Sequence, residues 1–384
     1  MFQFESTESQ SMVQDTARRF ASRTLLERAS KLDQTGEFPL ASYCEAAELG
    51  LLGINIPVEY GGVEAGPIAY SLAVTELAKT CAATTVGLCV SNMVAEVIVA
   101  FGNQDQIREH VPKLCDGSYV LGGFALSEAG AGSDPASMTT RARKTDTGWV
   151  LEGTKMWITS GSHANLFVVW AKTSERPGSS GISAFIVKGD NPGLIRGPVE
   201  QKLGQHGSPT TTLEMRELYV DDSALLGEVD RGLSIAMMAL DGGRIGIGSL
   251  ALGIGLAAQE IAIRYANERQ QFGRKIADFQ AIQWFLANNA TELDAGRLLV
   301  LRAAWLKEQR QKFTREASMA KLFCSERSFE TCNRALQILG GYGYTSDYPI
   351  ERYLRDVRVT SIYEGTSEIQ RLVIGRSVAK RFGG

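Results

Sequence analysis

Histidine is scarce in this 384-residue chain, and its cysteines never pair in sequence. There are three histidines, and none of the six cysteines (Cys44, Cys81, Cys89, Cys115, Cys324, Cys332) forms a C-x-x-C pair. A zinc centre built from these two residue types is therefore not expected. The scattered cysteines are expected to be reduced, mostly buried thiols. Positive charge is not in excess either: 40 Lys and Arg face 43 Asp and Glu, for a net charge of −3. Bulk attraction to nucleic acid has no source in such a balance, so any basic site must be local. The opening Met-Phe-Gln-Phe-Glu-Ser-Thr-Glu is acidic and has neither the basic nor the apolar region of a secretion signal. The longest uncharged run of the C-terminal half, Ile245 to Ala258, is bracketed by Arg244 and Glu260. It is too short for a bilayer and is expected to be a buried helix. Together these absences predict a soluble, cytoplasmic protein with no metal, no nucleic-acid partner and no membrane span.

What is present is ordinary globular material, 44% hydrophobic and 22% charged. The length suits two or three domains, with cores large enough to need no disulfide or metal staple. Three zones follow one another. Residues 1–118 carry helical spacing in Ser6 to Arg28, Pro39 to Leu52, Ile68 to Thr80, Thr85 to Phe101 and Gln104 to Lys113. Residues 119–228 change character. Short runs of Val, Ile, Phe, Trp and Thr, such as Trp149 to Glu152, Leu166 to Lys172, Ile182 to Val187 and Thr211 to Val220, predict an antiparallel sandwich or barrel. Residues 229–384 return to long helices, Leu233 to Arg269, Asp278 to Gln309 and Glu316 to Leu339, with a last piece from Arg371 to Arg381. They are long enough to build a bundle. The fold class is thus α+β, in the order helical domain, β domain, helical bundle.

Five segments carry chemistry-bearing residues. Phe124 to Pro135 ends a strand in glycines at 130 and 132 and in Ser133, which let backbone N–H groups approach an anion. Its spacing is not the dinucleotide fingerprint, and it equally suits an ordinary turn. Lys155 to Gly161 sets Trp157 beside Thr159; the indole could stack on a flat ring, or simply be core. Arg269-Gln270-Gln271-Phe272-Gly273 closes a long helix, where Arg269 is either a helix-end cation or a phosphate ligand. Gln337 to Tyr344 contains Gly340 and Gly341, as helix C-caps or as a close approach for a ligand. In Ile362 to Arg371, Thr366 suits a helix N-cap. Glu364 is either a solvated loop carboxylate or a desolvated general base.

In type and order the five resemble the acyl-CoA dehydrogenase family over nearly the whole chain, to Arg376. The specific marks are Leu126-Ser127-Glu128 with Gly132-Ser133-Asp134, Met156-Trp157-Ile158-Thr159, Arg269-x-x-Phe272-Gly273, Gln337-x-x-Gly340-Gly341 and Tyr363-Glu364-Gly365-Thr366. The resemblance implies FAD between the middle domain and a C-terminal four-helix bundle. Phe124, Leu126, Ser127, Gly132, Ser133, Trp157 and Thr159 would surround its ring. Arg269, Gln271, Phe272, Gln337 and Gly341 of a second subunit would hold its pyrophosphate and adenosine part, with Thr366 and Glu368 completing the site. Ser133, Asp241, Arg244, Tyr363, Gly365 and Arg376 would face an acyl-CoA substrate.

Glu364 would then remove the α-proton while hydride passes from the β-carbon to the flavin, giving a trans-2-enoyl-CoA. The base's own backbone N–H would help to polarise the thioester carbonyl. The resemblance further implies a homotetramer, a dimer of dimers, that passes electrons to electron-transfer flavoprotein. One branch of the family carries its base on the long helix; here that position is Gly243, which leaves Glu364 as the one candidate. His206 stands where many relatives carry Arg and is assigned no role. The likeness is greatest to the short-chain, butyryl-type members. Thr360 matches a small polar residue near the far end of their acyl pocket, but Leu250 replaces a Gln, so a substrate of about four to eight carbons is expected. A branched or alicyclic acyl-CoA, an oxygen-reacting oxidase or monooxygenase, and a non-catalytic flavin-binding subunit are the alternatives.

Overall fold

Thr7 starts the first helix by a reciprocal cap. Its hydroxyl accepts the Gln10 N–H, and the Gln10 amide oxygen accepts the Thr7 N–H, at 3.3 and 3.0 Å. The computed structural model describes residues 6–176 and 178–379; Arg381, where the last helix was expected to end, lies outside them. Helix α1 (Glu8–Phe20) passes through a π turn at Ala21–Leu25 into α2 (Leu26–Thr35). Helices α3 (Leu40–Glu48), α4 (Gly66–Ala78), α5 (Ala82–Phe101) and α6 (Gln104–Cys115) follow. Helix α5 is apolar almost all round, so it sits inside and not at a surface.

Eight strands then form one sheet: β1 (Gly122–Ala125), β2 (Arg141–Lys144), β3 (Gly148–Thr159), β4 (Leu166–Lys172), β5 (Ile182–Lys188), β6 (Leu194–Val199), β7 (Thr210–Asp221) and β8 (Leu225–Leu226). Their order is β6-β7-β3-β2-β4-β5-β8, with β1 paired to β4. Most pairs are antiparallel, as expected. The exceptions are β1 with β4, in register from Gly122↔Leu166 to Ala125↔Val169, and the single pair Arg141↔Lys172. A parallel neighbour cannot be reached by a hairpin, and β2 and β3 fill the interval between β1 and β4. Strand β4 is buried on both faces. Leu166, Val168 and Trp170 enter one core with Met93 and Val97 of α5, while Phe167, Val169 and Ala171 enter another within the sheet domain. That explains its unbroken apolar run.

The remaining chain is α7 (Gly232–Glu268), a small hairpin of β9 (Gln270–Gln271) and β10 (Arg274–Lys275), α8 (Gln280–Glu308), α9 (Thr314–Leu339), α10 (Gly341–Tyr344), α11 (Ile350–Arg358) and α12 (Ser367–Ala379). Leu250 and Ile254 of α7, Val300 of α8, Ala320 and Cys324 of α9 and Leu77 of α4 share one core, so the first helices pack onto the bundle. Gly255 lets α7 lie close to its neighbours: a Cβ there would meet Leu293 at 2.7 Å and Ser328 at 2.8 Å. Helices α5 and α7 have the length and hydropathy of membrane spans, yet 78% and 83% of those windows are buried in the protein. The run from Ile245 to Ala258 is thus a core helix segment. Five of the six free cysteines are buried.

Candidate active site

Glu364 lies in the tight turn between α11 and α12, with φ +55° followed by +90° at Gly365. A left-handed glutamate is costly and persists only where its surroundings fix it. Here Gln370 Nε2 donates to Glu364 O and Gly365 O at 3.1 and 2.9 Å, and Lys321 Nζ donates to Gly365 O at 2.7 Å. The carboxylate is turned inward. Its Oε2 is sealed from solvent and has no hydrogen-bond partner among the described residues. Burial pushes Glu364 up to about 7, against the opposing attraction of Arg244 and Lys321. The carboxylate is thus desolvated and not a solvated loop group. Gly243 and Met93 form its wall: a Cβ on Gly243 would lie 2.6 Å from Oε2 and 3.0 Å from Met93 Sδ. The Glu364 backbone N–H finds no acceptor among the described residues, so it is free to polarise a carbonyl.

The next residue of α7, Arg244, is almost fully buried. It donates to Asp241 Oδ1 at 2.8 Å and to Ser318 Oγ at 3.3 Å, and its Nε is buried without a partner. Thr314 donates to the other Asp241 oxygen. Asp241, Arg244 and Glu364 are thus brought together around α7. Arg376 lies on the exposed side of α12 and makes no ion pair among the described residues. Thr360 is fully buried, but its hydroxyl donates to Val357 O at 2.7 Å. Its polar end is therefore spent on backbone. Tyr363 receives a 3.4 Å hydrogen bond from Gln205 Nε2.

The second wall comes from the sheet. Strand β3 carries a register break between Lys155 and Ile158, and Trp157 sits in it at φ +65°. The bulge turns the indole outward to 55% exposure, so it is not a core tryptophan. Phe124 packs on Trp170 at 4.3 Å; Leu126 is buried, and Ser127 O accepts the Met156 N–H at 2.8 Å. Gly132 and Ser133 are exposed, and nothing lies within 4 Å of a Cβ placed on Gly132. Thr159 is half-buried, and the neighbouring Ser160 Oγ is buried without a partner. A protruding indole face, hydroxyls and strand-end backbone groups fit a flat heteroaromatic ring.

Arg269, Gln271, Phe272, Gln337 and Gly341 lie elsewhere, all exposed. Twenty-five residues of α7 separate Arg244 from Arg269, roughly 37 Å at the helical rise. Phe272 stands 93% exposed at the tip of the β9–β10 hairpin, with φ +53° before Gly273 at +76°. These residues do not reach the Glu364 pocket of their own chain. Thr366 caps α12, its hydroxyl accepting the Ile369 N–H at 3.3 Å. Glu368 lies in the first turn of α12, where its own backbone N–H and the Thr366 hydroxyl hold it below the usual carboxylate range.

Sequence reasoning missed the scaffold behind these walls. Lys155 is fully buried and donates to Leu126 O at 3.1 Å and Glu128 Oε1 at 2.9 Å, tying the Leu126–Ser127 wall to the Trp157 bulge. Glu128 also accepts from the Thr139 and Thr140 N–H groups at 2.6 and 3.0 Å. Gln205 donates to Asp356 and Tyr363, linking the loop before β7 to the base. His206 is bracketed by the Asp33 and Lys202 carbonyls at 2.7 and 2.9 Å, a structural position. Nothing in the sequence signalled the Lys155–Glu128 and Gln205–Tyr363 contacts, because each joins segments that only the tertiary packing brings together.

Three family models match in succession: acyl-CoA dehydrogenase N-terminal domain over residues 7–118, middle domain over 123–218 and C-terminal domain over 230–379. The mitochondrial short-chain specific acyl-CoA dehydrogenase of Bos taurus is 43% identical over 98% of this chain and 92% of its own. The butyryl-CoA dehydrogenase structure from Megasphaera elsdenii superposes with a TM-score of 0.96 at 36% identity, covering 98% of this chain and 100% of that one. A chain in the structure described as electron transferring flavoprotein of Acidaminococcus fermentans matches with a TM-score of 0.96 at 39% identity, over 98% and 99%. The chain belongs to the acyl-CoA dehydrogenase family.

Proposed function

We propose that this member of the acyl-CoA dehydrogenase family is an FAD-dependent oxidoreductase that converts a short- to medium-chain acyl-CoA to its trans-2-enoyl-CoA, with Glu364 as the base. The observation that carries the reading is the sealed, unpartnered Glu364 Oε2, beside an unpaired Glu364 N–H and between Gly243 and Met93. A thioester carbonyl received by that N–H would acidify its α-carbon in front of Oε2. With a pKa near 7, Glu364 is basic enough to take the proton and weak enough to be ionised at neutral pH. Gly243 and Met93 keep water from the oxygen that receives it.

When bound, FAD would supply the hydride-accepting chemistry for the β-carbon. Trp157, Thr159, Leu126 and Ser127 would hold its ring, with Phe124, Gly132 and Ser133 beside them. Arg269, Gln271, Phe272, Gln337 and Gly341 would come from a second subunit, because α7 carries the first three and α9 the last two away from their own pocket. Asp241, Arg244 and Arg376 would serve the CoA moiety, and Tyr363 and Gly365 flank the thioester. The assembly is a homotetramer in the cytoplasm that passes its electrons to electron-transfer flavoprotein. The domain divisions at 118/119 and 228/229 belong to the same reading.

Anaerobic addition of a panel of straight, branched and alicyclic acyl-CoA thioesters tests it. Bleaching of the flavin, with slow reoxidation in air, supports dehydrogenation. Rapid peroxide formation would point to an oxidase. Absence of any spectral change would point to a non-catalytic flavoprotein.

A further inference from the structure

We propose that Lys321 is a positioning residue for the reaction: from α9 its ammonium pins the Glu364–Gly365 turn and supplies the charge that keeps the Glu364 carboxylate ionised. This rests on reading Glu364 as the base.

A fully buried lysine calls for a reason. Lys321 has no solvent exposure. Its Nζ lies 2.7 Å from Gly365 O, and among the described residues no carboxylate comes within salt-bridge distance of it. The two other cations buried near the site are neutralised directly: Arg244 by Asp241 at 2.8 Å and Lys155 by Glu128 at 2.9 Å. No direct ion pair cancels the charge of Lys321 when it is protonated, and that charge then stands behind the turn that presents the base.

A purely structural donor at this place would not need to be charged. Gln370 already donates to the same carbonyl at 2.9 Å from α12, and a neutral amide avoids the cost of burying an ammonium. What a neutral residue cannot provide is attraction for an ionised carboxylate. The groups facing Glu364 are Arg244 from α7, Lys321 from α9, Tyr70 from α4, Cys89 from α5 and its own neighbour Tyr363. Burial pushes both tyrosines and the thiol upward, so they stay neutral. Those facing Lys321 are Glu364, Arg244, Glu368 and Glu326. Burial pulls Lys321 down to about 7 and pushes Glu364 up to about 7, and each is drawn back toward its charged form by the other.

The test uses the FAD-loaded enzyme and the variants Lys321→Met and Lys321→Gln. Gln retains an N–H for Gly365 O; Met retains neither donor nor charge. The first readout needs no turnover: the infrared carboxyl band that disappears in Glu364→Gln is titrated in each protein. The second is the acid limb of kcat. Both variants should move the Glu364 titration and the acid limb upward by about one pH unit, with KM for the same acyl-CoA little changed. Lys321→Gln should hold its flavin and melting temperature better than Lys321→Met. Titrations that superimpose on the unaltered enzyme, with activity following flavin content alone, would overturn the proposal. If Lys321→Met does not fold, Lys321→Gln decides. A shifted carboxyl titration in a protein that no acyl-CoA bleaches would leave the electrostatic inference standing and defeat the functional reading instead.

Discussion

Gly243 and Glu364 lie face to face across the pocket: a Cβ on Gly243 would be 2.6 Å from Glu364 Oε2 and 3.0 Å from its Cδ. The missing side chain on α7 is what gives the carboxylate its place. Gly243→Ala should favour the helix by about 1 kcal/mol and still harm the enzyme, because the base must shift to make room. Misplacing a reacting group by about an ångström costs roughly 10²-fold. The expected result is a fall in kcat of about that size with melting temperature unchanged or raised. Unchanged single-turnover bleaching would mean that the carboxylate does not work from this position.

Glu364→Gln should lower turnover by about 10³-fold, within the range for losing a general base, and leave flavin bound. The raised pKa adds a pH signature. The base is active when ionised, so kcat/KM of the unaltered enzyme should fall as pH drops through about 7. The stability effect has the opposite sense. The folded state binds this proton more tightly than the unfolded chain, so folding is penalised as pH rises from the ordinary glutamate range through about 7. Glu364→Gln should therefore melt higher than the parent at pH 8 and not at pH 4.5. Scanning calorimetry at both values checks the sign.

The Glu128–Lys155 ion pair underlies the wall proposed for the flavin, at 2.9 Å. Lys155 is fully buried, so removing its partner leaves a charge without compensation, at a cost of about 3–5 kcal/mol. Glu128→Gln should lose that much in urea denaturation and shed flavin more readily. The double variant Glu128→Gln/Lys155→Met should lose less than the single one, since no orphaned charge remains. Additive losses would show that the pair acts only through packing.

The zones and most elements were legible because apolar periodicity is local. Leu166–Lys172 reads as a strand and is one, and the ends of the three long bundle helices lie within two residues of those the sequence predicts. The parallel pairing of β1 with β4 was not legible, since strand order depends on where the chain returns. Glu364 was legible through its motif, but its left-handed backbone was not, because a glutamate carries no signal for positive φ. Lys155 and Lys321 were invisible for a related reason. In sequence a buried lysine looks like a surface lysine, and only the tertiary packing places it inside. Thr360 was legible as a residue near the base, but not as one whose hydroxyl is already committed to Val357.

Arg269 and Phe272 bear on assembly. Both are exposed at the far end of α7, and Phe272 is 93% exposed on a strained hairpin tip. Such an apolar residue is accounted for if it packs on a neighbouring subunit. Arg269→Ala should weaken flavin retention and tetramer formation together, because ligand and assembly stabilise one another. Light scattering coupled to flavin absorbance reads both at once; a flavin-loaded monomer would contradict the shared site.

On the proposed reading, chain length would be limited by what stands beyond Gly243. Tyr70 from α4 crosses that space: its hydroxyl would lie 2.6 Å from a Cβ on Gly246, one helical turn from Gly243, and it is near enough to sense Glu364. Leu250, a turn further on, is fully buried in the core. An acyl chain passing Glu364 along α7 would therefore meet the phenol early. Each buried CH₂ adds about 0.8 kcal/mol of affinity until the wall is reached, after which further carbons must displace packed side chains. In a straight-chain series, kcat/KM should rise to a maximum at about four to eight carbons and then drop steeply. Tyr70→Ala should move that maximum to longer chains, while activity on the shortest substrate falls for want of contact. A maximum at palmitoyl-CoA in the unaltered enzyme would reject the pocket assignment, and an optimum that Tyr70→Ala leaves in place would move the limiting wall elsewhere.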